Sequence, residues 1–361
     1  MPSADPIAAL VDRLRQGDTR ALARALTLVE NDAPEAAAIL SACFPHTGRA
    51  LRIGITGAPG AGKSTLVDRL ARAFREAGKT VGVLAVDPTS PFTGGALLGD
   101  RIRFQNFTSD AGFYARSMAT RGALGGLARA TADCALVLEA GGKDVLLLET
   151  VGVGQDEVDI ARLADVTLLV LVPGMGDDMQ SLKAGVMEIA DLFVINKADR
   201  DGADRVEQEI RTLQSLAPAG NPHRREDSAS GSGHDLSRAE KAQKEKGALA
   251  PEVPWNPPVV RTIATTGDGV PTLTTALADM EQWLRQNDRL TVRRTSHWQR
   301  RLDTMLAAEL LRRAHRHGLS ESQLAEHAAR VAAGHEDPWQ LVARLAAKLF
   351  RGRNEKEPAE R

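Results

Sequence analysis

The stretch "ITGAPGAGKST", Ile55–Thr65, decides the fold. Within it "GAPGAGKS", Gly57–Ser64, fits G-x-x-x-x-G-K-[ST]. A short apolar run, "LRIGIT" (51–56), precedes it, and a helical pattern over 63–77 follows. Strand, loop and helix in that order are the context a phosphate-binding loop requires. The backbone through Gly57, Ala58, Pro59, Gly60, Ala61 and Gly62 to Lys63, Ser64 and Thr65 closes its N–H groups around phosphate oxygens. The helix N-terminus adds partial positive charge. Lys63 is expected to bridge the β- and γ-phosphates, and Ser64 to ligate Mg2+.

Working outward, the apolar runs recur: "TVGVLAVD" (80–87), "GFYARS" (112–117), "KDVLLLET" (143–150), "VTLLVLV" (166–172), "LFVIN" (192–196) and "PVVRTI" (258–263). Continuous apolar strands alternating with helices imply a parallel sheet covered on both faces. The expected fold class is α/β: a P-loop NTPase with a mostly parallel sheet between helices, plus helical N- and C-terminal extensions. The boundaries read as a helical extension over 1–48, a nucleotide-binding domain over 49–290 and a helical arm over 291–361. Asp5-Pro6 starts the first helix, whose Ile7, Leu10, Val11 and Leu14 share a face, and a second begins near Asp18. Residues 218–257, polar and rich in Gly, Ser and Pro, read as an exposed insertion in which a short helix fits around 236–247. In the arm, Trp298, Leu302, Met305 and Leu306 form one stripe, and Asp337-Pro338 starts the last helix. Apolar stripes outside a complete α/β domain need cover, so a homodimer is expected.

"NKAD", Asn196–Asp199, ends the run "LFVIN". The carboxylate of Asp199 accepts from the N1–H and 2-amino group of guanine, donors adenine lacks at those places. An unmet buried acceptor discriminates strongly, so the nucleotide is expected to be GTP, with GDP as product. Lys197 is able to lie over the base and brace the phosphate loop.

Glu149, at the end of "LLLET", is placed to reach Mg2+ directly or through water, unless it is a surface strand-end acid. Gly152 would offer its N–H to the γ-phosphate. Val153 follows where many GTPases carry a water-orienting Gln, and Gln155 comes two residues later. Slow intrinsic hydrolysis is therefore expected, with a partner completing the site. Asp87 ends the second strand at the sheet edge where ligands gather. Asp100 follows a Gly-rich segment and reads as a switch carboxylate. The competing reading for either aspartate is a plain turn with a helix cap. The loop "SMATRGALGGLA" (117–128) reads as a switch or a helix start. Asp177 and Asp178 read as compensation of a helix dipole, or as a loop that contacts a partner.

Composition narrows the class. With 361 residues, 43% of them hydrophobic, the chain is able to bury an ordinary core, and a net charge of −1 gives no basic field for nucleic acid. Cys43 and Cys134 make no CxxC or disulfide framework, which favours a reducing cytoplasm. The N-terminus does not read as a signal peptide, and the longest apolar run is too short to cross a bilayer, so no membrane association is expected.

"GITGAPGAGKSTL", "LAVDPTSPFTGGALLGDRIRF", "ETVGVGQDEVDI" and "ADLFVINKAD" together resemble the cobalamin-mutase-associated GTPases, the MeaB/ArgK/MMAA group of the SIMIBI class, over roughly residues 50–290. The second stretch is the most specific, since GTPases at large do not share it. The resemblance implies a GTP-hydrolysing chaperone of an adenosylcobalamin-dependent acyl-CoA mutase, usually methylmalonyl-CoA mutase. It implies gating of cofactor loading, protection or rescue of the mutase, and a dimerisation arm in the helical tail. It places Mg2+ and water contacts at Ser64, Asp87, Asp100 and Glu149, and guanine recognition at Asn196, Lys197 and Asp199. Thr265 and Thr266, in "IATTGDG", stand where such GTPases carry Ser-Ala. The insertion looks longer than the family's usual connection.

Three alternatives compete. A metal-insertion GTPase wants Cys or His near its switches, yet all eight His lie outside 51–217 and Cys134 is the only Cys within it. An ArgK-type transport-associated kinase wants an ATP site, against which "NKAD" speaks. A protein-targeting GTPase wants a Met-rich domain, and the seven Met are scattered.

Overall fold

A computed structural model of the chain describes residues 5–87, 107, 110–119, 126–150, 163–174, 190–216, 255–316 and 320–351. The chain divides into two compact units, Met1–Thr291 and Val292–Arg361.

The first unit is built on a seven-stranded sheet, every pairing of which is parallel. Its strands are β1 (Leu51–Thr56), β2 (Val81–Asp87), β3 (Phe113–Ala119), β4 (Val145–Thr150), β5 (Val166–Leu171), β6 (Leu192–Asn196) and β7 (Val259–Thr262), in the order β3-β2-β4-β1-β5-β6-β7. All seven correspond to the apolar runs. In β4, β5 and β6 every residue is buried, so these strands need apolar side chains in both directions.

The two faces divide by residue parity. Ile53, Ile55, Val145, Leu147, Leu168 and Val194 pack under α4 (Lys63–Glu76) and α7 (Val270–Arg285), through residues such as Leu66, Leu70, Leu273 and Leu277. Leu84, Val86, Leu146 and Leu148 face α5 (Gly126–Ala140). Beyond β5 and β6, Leu169, Leu171, Phe193 and Ile195 are covered by α6 (Ala203–Leu216) through Val206 and Ile210.

The N-terminal helices α1 (Pro6–Arg15), α2 (Thr19–Glu30) and α3 (Ala36–Cys43) join this core. Asp5 caps α1 by accepting from the Ile7 N–H at 3.0 Å, with Pro6 at the first helical position. Asp18 caps α2 through the N–H groups of Arg20 and Ala21. Val11, Leu14, Leu22, Leu26 and Ile39 share one cluster with Leu138 and Leu146. The N-terminal apolar stripe is therefore covered within the chain and does not require a second copy.

The amino-terminal edge of the sheet is sealed by a device repeated three times. Asp144, Asp165 and Asp191 each lie just before a strand and each accept a backbone N–H at or just before the neighbouring strand: Thr80 at 2.8 Å, Arg52 at 3.0 Å and Thr167 at 2.9 Å. Each aspartate also donates its own N–H to the carbonyl of that same residue. The strand starts thus satisfy one another, and the opposite edge is left for a ligand.

The second unit holds most of α8 (Arg289–Arg316), then α9 (Glu321–Ala332) and α10 (Pro338–Arg351). Ser320 and Gln323 form a capping box on α9. Asp337 caps α10 through the Trp339 N–H at 2.9 Å. Leu302, Met305 and Leu306 on α8 are exposed. Among the described residues no helix is long and apolar enough to cross a membrane.

Candidate functional site

The site lies at the carboxyl edge, where β1 stands between β4 and β5. The chain leaves β1 at Thr56 and turns at once. Gly57 has a φ of 139°, and a Cβ there would lie 2.1 Å from the Val170 carbonyl oxygen on β5. Gly62, at φ 85°, precedes α4; a Cβ there would lie 2.4 Å from Asn196 Nδ2. Two of the motif's glycines are thus required by backbone on one side and by a side chain on the other. No side chain caps α4, so its first-turn amides open toward the loop.

Lys63 is 5% exposed despite its charge. Its ammonium reaches back across the loop and donates to the carbonyls of Gly57 at 2.6 Å and Ala58 at 3.0 Å. Ser64 Oγ donates to Glu149 Oε1. Glu149 shares parity with Val145 and Leu147, the face α4 covers, which is why the two side chains meet. It is 6% exposed, so it is not a solvated surface acid. A hydroxyl beside a carboxylate is a hard oxygen donor pair, the chemistry Mg2+ prefers, and the residues present fit that ion. Ala58 and Ala61 are buried, whereas Pro59, Gly60 and Thr65 are exposed.

Asn196 closes β6 and is 2% exposed. Its Nδ2 donates to the Ala61 carbonyl at 2.8 Å. Its Oδ1 accepts from the Ala264 N–H at 3.0 Å and from Thr262 Oγ1 at 3.2 Å. One amide thereby joins the phosphate loop to the turn after β7. Lys197 takes a left-handed φ of 55°, uncommon for a lysine, and its Nζ donates to the Gly60 carbonyl at 2.8 Å. Asp199 stands exposed just beyond.

Thr265 and Thr266 are both exposed in the turn after β7, but they differ. Thr266 is used by the turn itself: its N–H donates to Ile263 O at 3.1 Å and its hydroxyl to Asp268 Oδ2 at 2.8 Å. Arg69 of α4 donates from Nε to the Ala264 carbonyl at 2.9 Å and from its terminal nitrogen to the Thr265 carbonyl. The sequence reading did not single out Arg69 or Thr262.

Asp87 ends β2 at this same edge, paired in register with Ala119, and only its backbone is described. Asp100, Gly152, Val153, Gln155, Asp177 and Asp178 lie outside the described residues, as do residues 120–125 of the 117–128 loop and 218–254 of the 218–257 insertion. Cys134 faces the core from α5 and does not join the site; burial pushes its thiol up to about 12. Among the described residues, no three His, Cys, Asp or Glu side chains gather as a metal group.

A family model described as methylmalonyl-CoA mutase-associated GTPase MeaB matches residues 22–318. The chain belongs to the MeaB family. As a MeaB-family protein it is a P-loop GTPase. A Pyrococcus horikoshii protein provisionally named a GTPase is 47% identical over 302 residues, covering 84% of this chain and 86% of its own. The mouse mitochondrial methylmalonic aciduria type A homolog is 31% identical over 306 residues, covering 84% of this chain and 66% of its own. A solved structure of a LAO/AO transport system kinase matches with a TM-score of 0.63 at 26% identity, over 97% of this chain and 99% of that one. These likenesses accord with the parallel sheet and with the resemblance read from the four motifs.

Proposed function

We propose that this MeaB-family GTPase hydrolyses GTP as a chaperone of an adenosylcobalamin-dependent acyl-CoA mutase, in the first instance methylmalonyl-CoA mutase. In this role it gates cofactor loading and protects or reactivates the mutase. The nucleotide half rests on one observation above all. Asn196 and Lys197 both bond to the phosphate loop, at Ala61 and Gly60, which supports binding of base and phosphates as one ligand. The client half rests on the family's description as mutase-associated.

In this reading the amides from Gly57 to Thr65 hold the phosphates, and Lys63 exchanges its loop carbonyls for β- and γ-phosphate oxygens. Ser64 and Glu149 hold Mg2+, with Asp87 and Asp100 orienting waters around it. The ion, when bound, neutralises charge on the phosphate oxygens. Gly152 donates its N–H to the γ-phosphate. Asp199 takes the N1–H and 2-amino group of guanine, and the turn of Thr265 and Thr266 meets the 6-oxygen. Water attacks the γ-phosphorus in line, the bond to the β–γ bridging oxygen breaks, and GDP and phosphate leave. With Val153 after Gly152, no side chain at that position orients the water, so turnover is slow until the client supplies or moves a group.

Turnover of GTP and ATP is measured alone and with the mutase, with Lys63→Ala as control. Slow, GTP-only turnover that rises with the mutase is expected. Turnover indifferent to the mutase would remove the client and leave the GTPase. The kinase reading, raised by the solved relative's name, requires ATP use and would win if ATP were the better substrate. Asp199→Asn should exchange GTP preference for xanthosine triphosphate, whose 2-oxo group needs a donor; the ratio is expected to move by about 10²-fold or more.

A further inference from the structure

We propose that Arg69 is a positioning residue for guanine specificity, fixing the turn after β7 so that its main-chain donors meet the 6-oxo group of the purine. This rests on the base-site reading above and extends it to a residue that does not touch the nucleotide.

Arg69 is half-buried on α4, beside the buried Leu66, Val67 and Leu70. Its guanidinium grips two successive carbonyls, Ala264 and Thr265, through Nε and a terminal nitrogen. A planar fork suits two neighbouring acceptors in a way a single ammonium does not. In a trans peptide the carbonyl and the following N–H point in opposite directions. Holding the Ala264 carbonyl toward α4 therefore aims the Thr265 N–H away from it. That N–H has no partner among the described residues, whereas the Ala264 N–H is held by Asn196 and the Thr266 N–H by Ile263. The chain passes close over the guanidinium at Gly267, where a Cβ would lie 3.9 Å from Arg69 Nη1.

The placement matters more than the hydrogen bonds alone. α4 is the helix whose first turn faces the phosphates. Arg69 ties that helix to the Ala264–Thr265 turn, and Asn196 ties the same turn to the phosphate loop through Ala61. The turn is thus referenced twice to the phosphate site, so its donors keep a fixed distance from a purine whose phosphates are anchored. A backbone turn has no side chain to adjust, and its precision must come from what holds it.

The test compares GTP with 2-aminopurine riboside triphosphate, which keeps the 2-amino group and lacks both the 6-oxygen and the N1–H. Affinities are measured on the full chain with Mg2+ by displacement of a fluorescent GDP analogue. In the unmodified protein GTP should bind about 10²-fold more tightly, the worth of two hydrogen bonds, one from the N1–H to Asp199 and one to the 6-oxygen. In Arg69→Ala that ratio should shrink to about tenfold, the share kept by the N1–H at Asp199, mainly through weaker GTP binding. Arg69→Lys, with its charge kept and its fork lost, should fall between. Thermal melts of each variant establish that it is folded, and Arg69→Lys serves if Arg69→Ala is not. An equal loss for both nucleotides in Arg69→Ala, or no loss for either, would overturn the role of Arg69 and leave the base site intact. An unmodified protein that does not distinguish the two nucleotides would overturn the base-site reading itself, and this inference with it.

Discussion

Asn196→Ala tests the central joint of the site. The amide is 2% exposed and makes three hydrogen bonds, to the Ala61 carbonyl, the Ala264 N–H and the Thr262 hydroxyl. Truncation strands all three partners, and Ala61, Ala264 and Thr262 are themselves buried. A stranded buried polar group costs about 1–3 kcal/mol. The Thr262 hydroxyl rotates and recovers part, and water entering the gap recovers more. A loss of about 3 kcal/mol is therefore expected, a large share of an ordinary stability of about 5–15 kcal/mol. Urea unfolding of the full chain, followed by circular dichroism and Trp fluorescence, measures it; Trp255 and Trp283 lie together in the first unit, with ring centroids 5.7 Å apart. Asn196→Asp is the companion. It keeps the acceptor but turns an oxygen toward the Ala61 carbonyl where a donor stood at 2.8 Å. At pH 7 it should be at least as damaging as Ala, and it should recover partly in acid, where a protonated carboxyl again donates. A loss under about 1 kcal/mol for Asn196→Ala, or an Asp variant as stable as the unmodified chain at pH 7, would refute the claim that this amide joins the two loops.

Three further outcomes are expected. Glu149→Gln keeps an acceptor for Ser64 Oγ but removes the charge, so the Mg2+ affinity of the GTP complex should fall by about 10–100-fold with little change in the melting temperature; titration calorimetry measures it. Arg75 holds the Asp110 carboxyl below its ordinary value of 3.8 through paired 2.7 Å hydrogen bonds. Its stabilising contribution is complete above that value and is lost as pH falls through the depressed one, and melts from pH 6 to 2.5 should show Asp110→Asn with a shallower acid decline. Leu306 is 60% exposed on α8, and light scattering should find the full chain at twice its 38.6 kDa and Leu306→Glu shifted toward one copy; a single species near ~39 kDa for the unmodified chain would remove the dimer.

The sheet was legible because its strands are buried on both faces, and that burial writes unbroken apolar runs into the chain. The N-terminal stripe was legible as a stripe, but periodicity states only that a face must be covered. Leu14 and Leu26 are covered by the same chain's Leu138 and Leu146, and nothing local in "PIAALVDRL" distinguishes that from a second copy. The three aspartates before β4, β5 and β6 were an unread signal. A carboxylate one residue ahead of an apolar run, repeated in "KDV", "ADV" and "ADL", is the mark of strand starts that cap one another.

The site divides along a different line. Phosphate-loop chemistry lies within ten or so consecutive residues, where spacing alone carries the geometry. The joints do not. Asn196 meets Ala61 across 135 residues, and Arg69 meets Ala264 across 195. At Thr265 and Thr266 the side chains invited comparison with Ser-Ala, yet the donor by which the two residues differ toward a ligand is a main-chain N–H. Thr266 spends its N–H inside the turn, and Thr265 presents its own because Arg69 holds the carbonyls on either side of it. Backbone recognition leaves the local sequence nearly free to vary and moves the constraint to whatever grips the backbone. In this chain the residues to substitute when probing guanine specificity are therefore Arg69 and Asn196 rather than the threonines.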